Sequence, residues 1–388
     1  SMSAETVTIS SLGAKGDGVA HGADGPVFVP FALPGETVSI AKVKNEGTIM
    51  SFATTSPDRV QPPCKHFGPD GVGGVCGGCS LQHMAKPAYN AFKRQILIDA
   101  LKSKGIEAPV GEIFEAHPHQ RRRLVFTARR RETGLVMGFM QAETHHVVPV
   151  EECPIASDGL ISRLDAIKII ANACGAEHFR VTVTETTTGL DISLDGLRGG
   201  LGDQERRAVT NAVIRLKDIA RVSANGEIVI EPHKPLLDFA GARVVLPPGG
   251  FTQATHEAED HMAALAIAHI ESDEKAVKSL DFAARNTQGL KPVSVERRDL
   301  FRRPLMTSEF KGFDAVVFDP PRAGAEVQCA ELAKSQVKKV VAISCNPLTL
   351  ARDLSILIAG GYRVDKVTPI DQFLWSPHVE AVATLSKK

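Results

Sequence analysis

Four cysteines carry the first chemical signal in this sequence. Cys64, Cys76 and Cys79 have eleven and then two residues between them, and Cys153, followed by Pro154, comes much later. A two-residue gap lets neighbouring thiolates grip one metal centre, and a distant fourth cysteine closes the shell. Cysteine followed by proline recurs in iron–sulfur ligation. The spacing alone leaves a four-iron cluster and a four-cysteine zinc site equally open. Free buried cysteines are the poorer reading, because the Gly-rich stretch around them offers little core. Cys174 and Cys329 have no partners in the sequence and read as small core residues.

A further cysteine stands at a different kind of place. Cys345 ends the apolar run from Val340 to Ser344 and precedes Asn346, Pro347 and a helix-like segment. The mouth of an α/β sheet exposes such a residue to ligand. The N–H groups and dipole of a following helix favour a thiolate there. On spacing alone a buried structural cysteine is still the better reading. Asp319-Pro320-Pro321-Arg322 occupies the equivalent place after the run from Ala315 to Phe318.

These residues need elements to position them. Residues 4–56 hold short apolar runs, Thr6 to Ile9, Val27 to Val29, Thr37 to Val43 and Thr48 to Phe52, punctuated by glycines. Such strands predict a small, OB-like β-barrel, a common platform for single-stranded nucleic acid. Residues 57–85 carry no period. Residues 87–104 show helical spacing, with Gly105 as the stop. From 110 to 245, strands are expected at Leu124 to Thr127, Leu135 to Phe139 and His146 to Val150, with a hairpin of Arg180 to Glu185 and Leu190 to Leu194. Helices are expected over 158–173 and 203–217. The last third alternates short apolar runs, Val293 to Glu296, Ala315 to Phe318 and Val340 to Ser344, with helix-like segments. That pattern predicts a Rossmann-like doubly wound α/β sheet. The division expected is therefore a multidomain chain: a barrel over 4–56, a cysteine loop and central α+β module over 57–245, and a catalytic α/β domain over 246–388, on which helix 87–104 could pack.

The formal net charge is zero, from 45 basic and 45 acidic residues among 388. A nucleic-acid binder then needs clustered basic residues. They are present as Arg121–Arg123, Arg129–Arg131, Arg206-Arg207, Arg297-Arg298 and Arg302-Arg303. No run approaches the length of a membrane span. An odd count of seven cysteines in a long chain argues for a reducing cytoplasm over a disulfide framework. The chain reads as a cytoplasmic monomer with no membrane association and no obligatory protein partner.

The motifs taken together resemble a known family. Phe318-Asp319-Pro320-Pro321-Arg322-Ala323-Gly324, Ser344-Cys345-Asn346-Pro347 with Thr349-Leu350-Ala351-Arg352-Asp353, and His378-Val379-Glu380 resemble the closing half of the RNA uracil-5-methyltransferases. Gly250-Phe251-Thr252-Gln253 and Arg297-Arg298-Asp299-Leu300-Phe301 fit the same family. The opening, with Val27-Phe28-Val29-Pro30 and Leu33-Pro34-Gly35-Glu36, resembles the TRAM domain of its ribosomal-RNA branch. The resemblance covers nearly the whole chain. It implies S-adenosylmethionine as cofactor, a [4Fe-4S] cluster on Cys64, Cys76, Cys79 and Cys153, and a flipped or single-stranded uridine of RNA, in 23S rRNA, as substrate. A transfer-RNA target is the neighbouring alternative. Cys345 becomes the nucleophile and Glu380, by itself a surface carboxylate, the proton-removing base. Gln253, Glu271, Asp299 and Asp319 become the cofactor contacts. If residues 378–380 form a strand, His378 and Glu380 share a face.

The chemistry fits those assignments. Uracil carbon 5 is a poor nucleophile until a thiolate adds to carbon 6 and makes the ring an enolate. A carboxylate must then take the carbon 5 proton so that the thiolate can leave. A cytosine-5 methyltransferase is disfavoured, because no cysteine follows Asp319-Pro320. One departure from the family is serious. No glycine occurs between Phe251 and Gly289, where a strand, a Gly-rich cofactor loop and a helix should precede the ribose-binding acid. About 25 residues of such elements are therefore expected between Ile270 and Glu271, and the favoured reading is that the protein has them and the sequence in hand omits them. A chain that truly lacks them would be an iron–sulfur RNA-binding protein without turnover.

Overall fold

The structure is a computed structural model that describes residues 2–239, 242–248, 250, 252–271 and 307–388. The chain forms two compact units. The first comprises Ser1–Tyr89, His117–His256 and Phe373–Pro377, and the second Asn90–Ala116, Glu257–Gln372 and His378–Lys388. Their boundaries cut the chain differently from the three-part division drawn from the sequence.

The first unit opens with β1 (Met2–Leu12), β2 (Gly18–Gly22), β3 (Gly25–Val29), β4 (Thr37–Val43) and β5 (Glu46–Thr54), closed into a barrel in the order β1-β2-β3-β5-β4. Alternation along the strands sends Val7, Ile9, Val27, Val29, Val38 and Ile40 inward. The expected barrel is present, with β1 and β5 longer than their apolar runs. One buried charge ties it to the chain that follows. Glu36 is inaccessible to solvent. Its carboxylate accepts from Leu33 N at 2.7 Å, from Ser56 N at 3.1 Å and from Arg59 Nε at 2.7 Å. Burial opposes ionisation there, but these bonds win and hold the carboxyl below its usual range.

The second sheet of this unit has seven strands among the described residues: β6 (Arg123–Arg131), β7 (Gly134–Met140), β8 (Val147–Pro149), β9 (His178–Thr186), β10 (Gly189–Asp195), β11 (Ile219–Ala224) and β12 (Glu227–Ile230). Their order is β12-β11-β10-β9-β6-β7-β8, antiparallel except for β10 beside β11. A short hairpin follows, β13 (Leu236–Phe239) and β14 (Ala242–Val245). The helix expected over 158–173 is two pieces, Asp158–Ile161 and Leu164–Ala173, because the turn at Ser162 and Arg163 interrupts it. The helix expected over 203–217 stops at Ile214. Strands β11 to β14 were not separable in the sequence. Both unpaired cysteines are core residues as expected, Cys174 here and Cys329 in the second unit.

The chain enters the second unit along α1 (Lys86–Ser103). Its buried residues Tyr89, Lys93, Leu97, Ala100 and Leu101 recur at helical spacing. Gly105 has a φ of 66°, and the next N–H, from Ile106, closes back on Leu101 O at 3.0 Å. The sheet here contains β15 (Ala315–Phe318), β16 (Lys339–Ser344), β17 (Arg363–Ile370) and β18 (Glu380–Ser386), in the order β15-β16-β18-β17. Strands β15 and β16 are parallel, as a doubly wound sheet requires. Strand β18 is antiparallel to both its neighbours, so the described sheet is mixed. Two helices return the chain, Glu326–Ala333 and Pro347–Ala359. Leu350, Leu354 and Leu357 of the second are buried with Val340 and Ala383 of the sheet. A further helix, His256–Glu271, runs unbroken through Ile270 and Glu271. The expected strand from Val293 to Glu296 lies outside the described residues.

Replacing Arg59 by Met would leave the Glu36 carboxylate buried without its cation, at a cost of about 3–5 kcal/mol. The expected result is a matching loss in chemical denaturation at neutral pH. Because Glu36 is held below its unfolded pKa, its contribution is present above that pKa and fades as pH falls through the folded value. The gap between wild type and Arg59→Met should therefore narrow on acidification.

Candidate active site and cysteine cavity

The sheet register of the second unit builds the site. The β16–β18 ladder ends with Ser344 opposite Ala381. Cys345 and Glu380 are the next residues beyond that last pair, and the Glu380 charge reaches the Cys345 thiol. On the other side of β18, Glu380 pairs with Ile370 of β17. Residues far apart in the chain are thus forced together by hydrogen-bonded register.

The turn after β16 is fixed by its own side chains. Ser344 Oγ donates to Asn346 O at 2.9 Å and accepts from Asn346 N at 3.0 Å. Asn346 caps the following helix, its Oδ1 accepting from Leu348 N at 3.1 Å, and Pro347 opens the first turn. That helix also holds the loop after β15. Asn346 Nδ2 and Thr349 Oγ1 each donate to Arg322 O at 3.1 Å, and Ala325 N donates to Asp353 Oδ2 at 2.7 Å. Gly324 has a φ of 81°, and a Cβ there would lie 2.5 Å from Arg352 Nη2 and 2.8 Å from Asp353 Oδ2. The family-like Gly324 and Asp353 are thus one packing unit.

Cys345 is half-buried, and its thiol is pushed up from the ordinary value. Burial is the first cause, followed by the negative charges of Glu380 and Asp319, with Arg322 opposing. The thiolate expected from the helix N-terminus is outweighed by these effects. Glu380 is 6% exposed, which corrects its reading as a surface carboxylate. Burial raises its carboxyl to about 7; a Gln372 hydrogen bond and the Lys93 charge hold it back, and Asp319 adds to the rise. A carboxylate titrating there can accept a proton near neutral pH. Asp319 and Arg322 are exposed. His378 is exposed and lies outside β18, which begins at Glu380, so the two do not share a strand face. Lys93, Asp371 and Gln372 were missed in the sequence. The signal for Lys93 was a lysine on the apolar stripe of α1, four residues from both Tyr89 and Leu97.

The four cysteines converge on one cavity in the first unit. Cys64, Cys76, Cys79 and Cys153 line it together with Phe139 and Gln82. No group of three His, Cys, Asp or Glu among the described residues is close enough to hold a single metal ion. Burial drives all four thiols upward, Cys153 to about 11. Just after Cys79, Ser80 N and Leu81 N donate to Trp375 O at 2.8 and 3.0 Å, and Trp375 N donates to Tyr89 Oη at 2.9 Å.

Comparison with known proteins places the chain. A family model described as tRNA (uracil-5-)-methyltransferase matches residues 254–388. An uncharacterized RNA methyltransferase of Agrobacterium fabrum is 59% identical over the whole of both chains. This chain belongs to the RNA uracil-5-methyltransferase family. The 23S rRNA (uracil(1939)-C(5))-methyltransferase of Yersinia enterocolitica is 28% identical over 97% of this chain and 94% of its own. In fold, the chain resembles the Pyrococcus abyssi tRNA (uracil-54, C5)-methyltransferase solved with S-adenosyl-L-homocysteine, with a TM-score of 0.68, 23% identity, and 98% and 99% of the two chains covered. The Agrobacterium alignment spans 417 positions against 388 residues here, so at least 29 of its positions are unmatched in this chain.

The other residues assigned from the motifs fall in several places in this methyltransferase. Gln253 belongs to the first unit, where its carbonyl accepts from Arg122 Nε at 3.1 Å. Glu271 is exposed at the end of its helix. Asp299 lies outside the described residues, as do Arg297-Arg298 and Arg302-Arg303. The arginine clusters are only partly a free surface. Arg122 is 8% exposed and donates to Thr252 Oγ1 at 2.7 Å, and Arg121 stacks over Phe373 at 5.3 Å. Arg206 pairs with Glu227 at 2.9 Å. Among the described residues no helix is long and apolar enough to cross a membrane.

Because Glu380 and Asp319 raise the Cys345 thiol, removing one negative charge should release it. Glu380→Gln is expected to speed iodoacetamide alkylation of Cys345 several-fold at pH 8, about 1.4 kcal/mol per tenfold. Peptide mass spectrometry resolves Cys345 from the other six cysteines. An unchanged or slower rate would contradict the electrostatic account.

Proposed function

We propose that this chain methylates carbon 5 of a uridine in RNA through a covalent bond from Cys345 Sγ to uracil carbon 6, with Glu380 as the base. The observation that carries this reading is a half-buried thiol and a buried carboxyl side by side at the end of the β16–β18 ladder, close enough for the Glu380 charge to act on Cys345. The Cys345 thiolate adds to carbon 6 and carbon 5 becomes the attacking atom. S-adenosylmethionine supplies the methyl group when bound. Glu380 then takes the carbon 5 proton, and the C6–S bond breaks to restore the ring. Asp319, Gln253, Glu271 and Asp299 would hold the cofactor, as the family motifs imply. A uridine must leave its stack to reach such a pair. The target is proposed to lie in 23S rRNA: the N-terminal barrel, read as a TRAM domain, and the Yersinia relative support that choice over transfer RNA.

Cys64, Cys76, Cys79 and Cys153 are proposed to hold a [4Fe-4S] cluster. Their place around one cavity and the family resemblance support it; the eleven-residue gap from Cys64 to Cys76 is longer than the family's usual spacing, and a Gly-rich loop absorbs it at little entropic cost. Methyl transfer consumes no electrons, so the cluster's task would be to staple a loop rich in glycine. Anaerobically purified protein should contain close to four iron and four sulfide per chain, and Cys79→Ser should lose both.

A second reading is an RNA-binding protein without turnover. It is favoured by the 29 or more positions of the Agrobacterium relative that have no counterpart here. Their number is close to the strand, glycine loop and helix expected between Ile270 and Glu271. Tritium release from RNA carrying [5-³H]uridine separates the two, since a binder releases none. For the enzyme, Cys345→Ala should abolish release, and Glu380→Gln should trap a protein–RNA adduct stable to denaturing electrophoresis. Release by Cys345→Ala would end the covalent mechanism.

A further inference from the structure

The second unit contains a charge pair that the mechanism above leaves unused. Lys93 Nζ lies 3.0 Å from Asp371 Oδ1, and both side chains are fully withdrawn from water. Burying such a pair costs several kcal/mol per ion, and well-packed apolar residues would often be as stable. A need for stability alone is therefore a weak reason for it.

Its surroundings suggest a better one. Asp371 and Gln372 directly follow β17, whose last residue, Ile370, pairs with Glu380. Gln372 is 2% exposed and hydrogen-bonds the Glu380 carboxyl. Lys93 arrives from α1 and its charge acts on both Glu380 and His378. The charges that act on Glu380 are Asp319 after β15 and Lys93 from α1, and Glu380 in turn acts on Cys345 after β16. Asp371 follows Ile370, the strand partner of Glu380, His378 precedes Glu380 by two residues, and Arg322 acts on Cys345 and His378. Arg322 is exposed, so Lys93 is the buried cation among them.

We propose that Lys93 and Asp371 are positioning residues that set the charge state of Glu380, the ammonium favouring its carboxylate and Asp371 limiting how strongly. This inference rests on the reading of Glu380 as the base for its catalytic meaning, but not for its electrostatics. The two partners act in opposite senses. Without Lys93, Glu380 faces Asp371 and Asp319 with no buried counter-charge, and its proton is held more tightly. Without the Asp371 charge, Lys93 acts on Glu380 undivided, and the proton is released more readily.

The test is an infrared titration of the Glu380 carboxyl in the free protein, its band assigned by difference against Glu380→Gln. Wild type should titrate near 7. Lys93→Met should move the midpoint up by about one pH unit or more, Asp371→Asn should move it down, and Lys93→Arg should stay close to wild type. A midpoint unmoved in Lys93→Met and Asp371→Asn, or moved the same way in both, overturns the inference. If Lys93→Met fails to fold, Asp371→Asn and Lys93→Arg still decide it by a downward shift in one and near-constancy in the other. Single-turnover tritium release should show its acidic limb displaced in the same senses. Midpoints that move as stated in a protein releasing no tritium at any pH would uphold the charge coupling and refute Glu380 as base.

Discussion

A carboxyl removed from water must either find partners or keep its proton, and the arrangement around Glu380 follows from that constraint. The strand register fixes its place, because Ile370 of β17 and Ser344 of β16 flank the start of β18 on its two sides. Burial then raises the group towards neutrality, and Gln372 and Lys93 stop the rise at about 7. The same low-dielectric setting couples it to Cys345, whose thiol is raised by burial and by the carboxylates beside it. A carboxyl poised near neutral pH and a thiol held back from ionisation are two results of one electrostatic environment.

The turn after β16 shows how little freedom this allows. Ser344, Asn346 and Thr349 use their side chains on local backbone, and Asn346 and Thr349 reach the loop carrying Asp319 and Arg322. The sequence motifs on either side of these loops are therefore mostly scaffolding. Gly324 and Asp353 never need to touch a substrate to matter, since they lock the two loops in register.

The first unit solves a different problem with charged and sulfur-bearing residues. A Gly-rich loop has little apolar surface with which to hold a shape, and its cysteines gather instead around one cavity. Arg59 neutralises the buried Glu36, and Arg122 is spent on Thr252 and Gln253. Basic residues that looked like a nucleic-acid surface in the sequence are in part internal struts, because a guanidinium can satisfy several carbonyl and hydroxyl groups at once.

The sequence by itself determined the local elements and the identity of the reactive groups. Period-two runs specified the barrel strands, the 3.6-residue stripe specified α1, and the short apolar runs before Asp319 and Cys345 specified β15 and β16. It did not reveal the break at Ser162 or the mixed sheet, because strand order and direction are properties of distant pairings. Nor did it expose Glu380 as buried, or Lys93, Asp371 and Gln372 as its neighbours. Composition says which groups can ionise. Only the tertiary structure decides which of them lose water and which charges they then face, because desolvation and Coulomb energy depend on distances that the linear chain does not contain.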